Sequence, residues 1–564
     1  MNTSLLVLIG FGIYVIFYFV YGKSLEKRVI HADEKNLTPA HRLRDNIDYM
    51  PANKFVLFGH HFASIAGAGP ILGPAIAMIW GWLPGILWVW FGNIFIGATH
   101  DYLSLMASVR HDGKSIQWIS GKLMGKKTGH VFSWFVFLAL ILVIAAFSSV
   151  IADLFAKNPQ VATASILFIM EAGVVGVMLY KLRLGFMLST VTGILFLILS
   201  IIFSSYIPVY LSAKAWLLFL ILYSIIASVL PVWILLQPRD YLNAWILFTG
   251  ILIGGIGLVF SFKSLDFPFF TKFSATAIAN KPSPFWPTVP LIIACGALSG
   301  FHSVVASGTT SKQLDKETSG LFVGYGAMFS EGFLATLVIA SIAGFGFLVI
   351  GEIKNVGTQY LSAIKSVGGP GGIFSKSFAQ AVHKGIGLPL RAMEVFASLW
   401  ISAFVLTTLD TTVRLSRFLL AEIAEPLRKR AKIIFQMLSN RIVASMVPAG
   451  VGLWLAWGGA WTIIWPAFAG TNQMLASIAL LTVSIWATKE LACETGYKLA
   501  IVFPSLLLWI TVTSALIWFL IVPTPTYAKE AFLKALLIGS IVGIMLGLNF
   551  YLLYAFFKAF KRTS

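Results

Sequence analysis

The stretch GHHFASIAGAGPILGPAIA, residues 59–77, decides how this chain folds. It is apolar enough to lie within a membrane, yet glycine and proline interrupt it at Gly67, Gly69 and Pro70. Proline cannot donate the helical backbone hydrogen bond, and glycine tolerates non-helical backbone. A helix break inside a bilayer is costly unless it lines a cavity. The stretch therefore predicts a membrane helix that is broken at a binding site.

The composition places this stretch in an all-α polytopic membrane protein. Of 564 residues, 58% are hydrophobic and only 11% are charged, and the mean hydropathy is +0.86. Soluble domains carry about 25% charged residues. The net charge of +19 does not indicate a nucleic-acid binder, because the basic residues cluster between apolar runs. Two cysteines are too few for a disulfide-rich secreted scaffold. A soluble dehydrogenase is also excluded.

About 15 apolar runs approach the 20 residues that a transmembrane helix needs. They lie at residues 4–22, 55–80, 84–110, 131–155, 161–180, 184–206, 214–236, 241–262, 288–311, 321–350, 391–413, 441–457, 460–486, 498–522 and 531–557. Most Lys and Arg residues fall in alternate connections, among them 237–240, which predicts an outside N-terminus and a cytoplasmic C-terminus. The outward connection 351–390 is predicted to be a surface loop, with a mobile cover as the alternative, and a turn is predicted at Gly458 and Gly459.

The ninth span carries a second candidate break in CGALSGFHS, residues 295–303. Its Gly296 and Gly300 also suit a small-residue face that packs against another helix. The second and ninth spans cross in opposite directions in the predicted topology. Antiparallel broken helices are typical of inverted-repeat transporters, whose substrates bind where unwound segments cross the bilayer midplane. The spacing between these two spans requires an inserted pair of helices.

The two breaks predict a site for an anionic group. Half-helix N-termini present unpaired N–H groups and the positive ends of helix dipoles, which favour a carboxylate. The predicted substrate-binding residues are Gly67, Ala68, Gly69, Ser299, Gly300, His302, Ser303, Asn472 and Gln473. The two amides could instead crosslink helices, because amides within a membrane need hydrogen-bond partners.

Titratable side chains within membrane spans are costly and usually functional. The predicted proton-coupling residues are His61, His100, Asp101, Glu331 and Asp410. The adjacent His100 and Asp101 could relay protons, or could form a satisfied polar contact. No metal site is expected, because no carboxylate or cysteine lies at ligand spacing from His60 and His61.

Thr407 and Thr408 form a candidate sodium site. Adjacent hydroxyls near the carbonyls freed by the first break would make an oxygen cage. The alternative is that both hydroxyls bond back to their own helix.

Other function classes find little support in the sequence. It contains no GxSxG, HExxH or Walker-type motif, so an enzyme is not expected and no cofactor is predicted. A channel is harder to exclude, because helix breaks and small residues also build pores. No repeated filter motif accompanies them.

Several stretches together resemble the carbon starvation protein A (CstA) family. They are residues 59–77, GATHD at 97–101, CGALSGFHS at 295–303, GAMFSEG at 326–332, FVLTTLDTTVRLSRF at 404–418 and WPAFAGTNQMLASIAL at 465–480. The resemblance implies an inner-membrane carrier of pyruvate or small peptides with a LeuT-like fold. That fold agrees with the antiparallel breaks inferred above.

The resulting hypothesis is a solute:cation symporter of the inner membrane for a small carboxylate, such as pyruvate, or a di- or tripeptide. Protons are the favoured coupling ion, and sodium is the alternative. A channel or a metabolite sensor is the other function class. Three regions are expected: an N-terminal helix and basic loop at 1–54, a transporter core at 55–486 with breaks near 67–70 and 296–303, and accessory helices at 487–564.

Overall fold

Helices make up nearly all of the regular structure in the computed structural model of this chain. The structure describes residues 1–45, 49–182, 184–230, 235–457 and 461–561. Within these ranges, ten helices are long and apolar enough to cross a membrane. They are Thr3–Ile30, Trp82–Arg110, Lys126–Lys157, Pro159–Gly176, Pro238–Ser261, Glu317–Ile350, Leu390–Ala424, Ile464–Lys489, Thr495–Ala528 and Phe532–Phe560.

The remaining apolar runs form bent, interrupted or shorter helices. Lys54–Ala66 and Gly69–Trp80 are two helices that meet at a bend of 44°, and the pair is here called the first broken helix. Phe285–Ile292 and Gly300–Gly308 are separated by non-helical residues and form the second broken helix. Three apolar helices are shorter, at Met187–Phe203, Ala213–Val229 and Arg441–Ala456.

The predicted count of about 15 spans is therefore not confirmed. By length and composition, the described residues contain ten spans, or eleven when the bent pair counts as one. The other five predicted runs do not meet the length criterion as single helices. Two of them are broken helices, and three form helices of 16 to 17 residues. The predicted turn at Gly458 and Gly459 lies outside the described residues.

Shorter elements connect these helices. They are helices at Pro39–Arg42, Ile116–Met124, Val356–Ser366, Gly369–Ile386, Leu427–Arg430 and Lys432–Ser439, with short helical turns at Ile278–Asn280 and Thr310–Lys312. Ser274–Thr276 and Pro282–Pro284 form a small antiparallel sheet.

The prediction that residues 351–390 form a surface loop is wrong. The segment contains two helices, and Gly369–Ile386 is largely buried against Leu390–Ala424 and Pro238–Ser261. Its glycines suggested a loop, but here they allow close helix packing: a Cβ at Gly385 would lie 2.1 Å from the carbonyl oxygen of Gly257. Small residues at helix interfaces in membranes serve this purpose.

The two broken helices pack directly against each other in the interior. A Cβ at Gly69 would lie 2.3 Å from Cβ of Cys295, and one at Gly73 would lie 2.7 Å from the carbonyl oxygen of Ile292. Gly69 contacts Cys295, and Gly73, four residues later, contacts Ile292, three residues earlier. The two segments therefore run antiparallel. Only a residue without a side chain allows this approach.

Candidate functional site

Both broken helices are interrupted by backbone that helices cannot contain. The first helix ends at Ala66, and Gly67 has a positive φ of 39° before helix resumes at Gly69. In the second, Gly296 has a φ of 84° and helix resumes at Gly300. Glycine is the residue that tolerates positive φ at least cost. The breaks fall in the segments where the sequence predicts them.

Asn472 holds the resumed part of the second broken helix. Its Oδ1 accepts a hydrogen bond from the backbone N–H of Phe301 at 2.9 Å, and its Nδ2 donates to Oγ of Ser299 at 2.9 Å. A Cβ at Gly300 would lie 2.4 Å from the carbonyl oxygen of Asn472. The amide thus crosslinks two helices, as one of the two sequence interpretations expects.

The unwound backbone before this point is satisfied by two further amides. Gln473 Nε2 donates to the carbonyl oxygen of Ile293 at 2.9 Å and also to that of Pro290. Asn93, which the sequence analysis overlooked, donates from Nδ2 to the carbonyl oxygen of Gly296 at 2.7 Å. Backbone groups freed by a break in a membrane need such partners. These amides therefore hold the unwound segment in one conformation.

An acid–base cluster lies beside the breaks. We call the side chains of His100, Asp101, His302 and Glu331, all fully buried, the central cluster. Asp101 accepts at both oxygens, with Oδ1 lying 2.8 Å from Nδ1 of His100 and Oδ2 lying 2.8 Å from Nδ1 of His302. The sequence predicted all four residues as site residues, and the structure brings them together.

Glu331 ties the central cluster to the second break. Its Oε1 accepts from the backbone N–H of Gly296 at 3.1 Å, and its Oε2 lies 3.4 Å from Nε2 of His302. Within the part of the chain that the structure describes, neither Oε2 of Glu331 nor Nε2 of His302 has a hydrogen-bond partner. Two carboxylates and two imidazoles buried this closely can hold and exchange a proton.

Asp410 does not join the central cluster. It accepts two hydrogen bonds from the guanidinium of Arg239, and Arg239 also donates to Asp240 at 3.3 Å and to Tyr223 at 2.5 Å. His60 Nδ1 lies 3.4 Å from Oδ2 of Asp240. We call these five residues the Arg239 cluster.

The position of Arg239 corrects the sequence analysis, which placed residues 237–240 in an inward connection. Arg239 and Asp240 lie in the first turn of the Pro238–Ser261 span and are buried. A bidentate pair with a carboxylate explains how an arginine is accommodated there. The one sequence feature that could have indicated burial is the adjacent Arg239 and Asp240 at the edge of an apolar run. Such a pair is equally typical of a loop.

The candidate sodium residues already have partners. Thr407 Oγ1 donates to the carbonyl oxygen of Ala403 at 3.0 Å, and Thr408 Oγ1 donates to that of Phe404 at 3.1 Å. This is the alternative in which the hydroxyls bond back to their own helix. Thr408 still faces the first break, since a Cβ at Gly67 would lie 3.1 Å from its Oγ1.

The remaining predicted residues lie near the breaks. His61 Nδ1 lies 2.8 Å from Oγ1 of Thr310, beyond the second broken helix. Ser303 donates to the carbonyl oxygen of Gly300 at 2.7 Å. Ala68 caps the resumed first helix, its carbonyl oxygen accepting from the N–H of Ile71 at 3.1 Å. These three residues therefore belong to the broken-helix region.

A cavity of about 460 Å³ opens toward the breaks from one side of the molecule. It reaches His60 and Ser64 on the first broken helix and Val304 on the second, and its rim includes Lys312 and Glu422. Leu72, on the far side of the first break, lines a separate cavity of about 30 Å³. The larger cavity therefore reaches both broken helices, at positions next to the breaks and not at the breaks themselves.

Broken helices that meet beside a buried acid–base cluster, within an array of apolar helices, define a multi-pass integral membrane protein. The chain belongs to the carbon starvation protein CstA family, whose sequence profile matches residues 2–345 and 340–515.

Curated relatives match along most of their own length. The chain is 30% identical to the peptide transporter CstA of Bacillus subtilis, over 100% of this chain and 98% of the relative. It is 33% identical to the peptide transporter CstA of Campylobacter jejuni, over 84% and 74% of the two chains. It is 31% identical to the pyruvate/proton symporter BtsT of Escherichia coli, over 92% and 80%.

Proposed function

We propose that this protein is a secondary active transporter that imports a small carboxylate or a short peptide by proton symport. The observation that carries the proposal is the meeting of two broken helices beside the central cluster. The names of the relatives, which are peptide transporters and a pyruvate/proton symporter, support the same substrate classes. Both classes share a carboxylate, which is the group that helix N-termini and backbone N–H groups favour.

The substrate site lies between the breaks in this proposal. The backbone of Gly67, Ala68 and Gly69 faces the carboxylate, and Ser299, Gly300, His302 and Ser303 contribute from the second broken helix. Asn472 and Gln473 act mainly by holding the unwound segment. Asn472 accepts from the backbone N–H of Phe301 and donates to Oγ of Ser299, and Gln473 donates to the carbonyl oxygen of Ile293. Substrate sites of carriers with discontinuous helices lie at such positions.

Proton coupling is assigned to the central cluster. Asp101 and Glu331 supply two carboxylates, and the Nε2–Oε2 contact of 3.4 Å between His302 and Glu331 offers a position for one proton. A proton there would reduce the net charge of a fully buried cluster, which lowers its cost in the membrane. Substrate binding that shifts His302 would then change the affinity for the proton, and this linkage is what couples the two fluxes.

The architecture proposed for this function is a LeuT-like inverted-repeat core. The antiparallel packing of the two broken helices supports it. We place the protein in the inner membrane with the N-terminus outside and the C-terminus in the cytoplasm. In that orientation the 460 Å³ cavity, whose wall includes Gly113, Gln117 and Lys312, opens to the cytoplasm.

Uptake into proteoliposomes tests the proposal. Labelled pyruvate is offered under an inward proton gradient, an inward sodium gradient or no gradient, with excess unlabelled dipeptide as competitor. Accumulation above equilibrium under the proton gradient alone is expected. Accumulation under the sodium gradient alone would move coupling to sodium, with Thr407 and Thr408 as the residues to examine. Uptake of labelled dipeptide without pyruvate uptake would assign peptides as the substrate.

Two results would overturn transport itself. Conductance without saturation or uphill accumulation would indicate a channel. Binding of pyruvate or dipeptide without any flux would indicate a sensor.

A further inference from the structure

Three side chains whose spacing in the sequence does not indicate a metal site lie close together beside the second break. The thiol of Cys295, the imidazole of His302 and the carboxylate of Glu331 are buried, and one ligand atom from each lies within 4.8 Å of the other two. Sulfur, nitrogen and oxygen donors in one small volume match the ligands that zinc takes in proteins. The sequence predicted no metal site, because no carboxylate or cysteine lies at ligand spacing from His60 and His61.

The distance between two of these atoms suits a shared metal ion. Nε2 of His302 lies 3.4 Å from Oε2 of Glu331. In a tetrahedral site with bonds of about 2.0–2.1 Å, two ligand atoms lie about 3.3 Å apart. Neither atom has a hydrogen-bond partner in the described parts of the chain. An unpartnered, fully buried polar atom is costly, and a bound ion removes that cost.

The other polar atoms of these two side chains, Nδ1 of His302 and Oε1 of Glu331, already have partners. Asp101 Oδ2 lies 2.8 Å from Nδ1 of His302, which leaves Nε2 as the free ring nitrogen. The backbone N–H of Gly296 donates to Oε1 of Glu331 at 3.1 Å, which leaves Oε2 free. A carboxylate behind a histidine ligand is the usual outer shell of a zinc site, because it fixes the ring and increases its basicity.

The geometry points to a binding site for a divalent transition-metal ion of the zinc class, held by Cys295, His302 and Glu331 with an open fourth position. The thiolate and imidazole favour Zn²⁺ or Co²⁺ over Mg²⁺ and Ca²⁺, which prefer oxygen ligands. The 460 Å³ cavity reaches the second broken helix at Val304, and none of the three ligand residues lines it.

The site has a consequence that rests on the proposed function. His302 and Glu331 are the residues assigned there to substrate and proton. A metal ion on both would exclude the proton between them and occupy the imidazole. Zn²⁺ would therefore compete with the transported solute.

Metal binding to the purified full-length protein tests the site without any transport measurement. The protein in detergent is equilibrated with Co²⁺ or Zn²⁺, passed through a desalting column and analysed for bound metal. We expect about one ion per chain and, with Co²⁺, the near-ultraviolet charge-transfer absorption of a cobalt–thiolate bond.

The two cysteines supply a matched pair of variants. Cys295→Ser should abolish the charge-transfer band and weaken binding at least about tenfold, whereas Cys493→Ser should leave both unchanged. Glu331→Gln should weaken binding but keep the band, because the thiolate remains. This variant keeps the test valid if Cys295→Ser does not fold, which size-exclusion chromatography would reveal. Substoichiometric binding, or a band that survives Cys295→Ser, would overturn the site.

Competition is measured separately. Zn²⁺ should inhibit uptake by the original protein and by Cys493→Ser, and should inhibit Cys295→Ser at least about tenfold more weakly. Stoichiometric Co²⁺ binding at Cys295 without inhibition of uptake would refute the competition. Absence of uptake in every variant, with Co²⁺ bound, would instead refute the proposed transport and leave the metal site established.

Discussion

Adding one methyl group at Gly69 should force the two broken helices apart. A Cβ there would lie 2.3 Å from Cβ and 2.4 Å from Sγ of Cys295, and 3.5 Å from its Cα. Carbon atoms in contact normally lie about 3.5–4.0 Å apart. Cβ of Cys295 is fixed to the backbone and cannot rotate away, so one segment has to move by about 1 Å or more. Overpacking of this kind costs about 1–3 kcal/mol.

The assay is unfolding of the purified protein by titration with SDS, followed by tryptophan fluorescence. Gly69→Ala should lower the free energy of unfolding by about 1–3 kcal/mol. Combining it with Cys295→Gly removes the clashing atoms and leaves Cα at 3.5 Å, so the double variant should recover at least about 1 kcal/mol relative to the sum of the single effects.

A control for the methyl group itself is available at Gly543 on the Phe532–Phe560 helix. No atom lies within 4 Å of a Cβ added there. Gly543→Ala should be neutral or stabilising by up to about 1 kcal/mol, since alanine is the better helix former. If Gly69→Ala is as stable as Gly543→Ala and shows no coupling to Cys295→Gly, the close packing of the two breaks is refuted.

Four further predictions concern the side chains of the two clusters and the amide that holds the second broken helix. Glu331→Gln should abolish uphill uptake driven by a proton gradient while sparing solute exchange; equal loss of both would indicate a structural role. His302→Ala should abolish substrate binding in a protein that still elutes as a folded species, and unchanged uptake would remove this residue from the site. Arg239→Ala should cost about 3–5 kcal/mol in SDS titration, because it leaves the carboxylate of Asp410 buried without its partner; Asp410→Asn in the same chain should recover part of it, and additive losses would contradict the pairing. Gln473→Leu should cost about 1–3 kcal/mol by removing the donor to two carbonyls of the second broken helix, and unchanged stability would show that those carbonyls have other partners.

A matched control for the Glu331 variant is Glu171→Gln. Glu171 is another buried carboxylate in a membrane span; it accepts a hydrogen bond from Ser200 and is a member of neither cluster. Removing its charge should leave the dependence of uptake on the proton gradient unchanged. Loss of proton-driven uptake in both variants would show that the effect of Glu331→Gln is not specific to the central cluster.

Much of the candidate site could be predicted from the sequence, because it depends on properties of single residues. Gly67, Pro70 and Gly296 interrupt apolar runs, and backbone constraints at these residues hold in any fold. The buried His100, Asp101, His302 and Glu331 were recognisable because ionisable groups within apolar runs are costly and usually retained for function. The long apolar runs likewise required helices, since unpaired backbone groups cannot lie in lipid.

Partnerships between distant parts of the chain depended on the tertiary structure. Asp101 and His302 are 201 residues apart, and Arg239 and Asp410 are 171 apart. No local pattern encodes which buried charge meets which, so the sequence did not reveal that Asp410 pairs with Arg239, and Arg239 was placed in a loop. Which charges pair depends on how helices from separate regions pack. That packing depends on the fit of many side chains along each helix contact.

The sequence by itself determined that this is a helical membrane protein, that two of its helices break, and that a few ionisable groups lie in the membrane, because hydrophobicity and backbone sterics act residue by residue. Only the tertiary structure decided that Gly69 rests on Cys295 and that the thiol, His302 and Glu331 converge. Segments far apart in the chain meet there because glycines at the interface allow two backbones to approach within van der Waals contact.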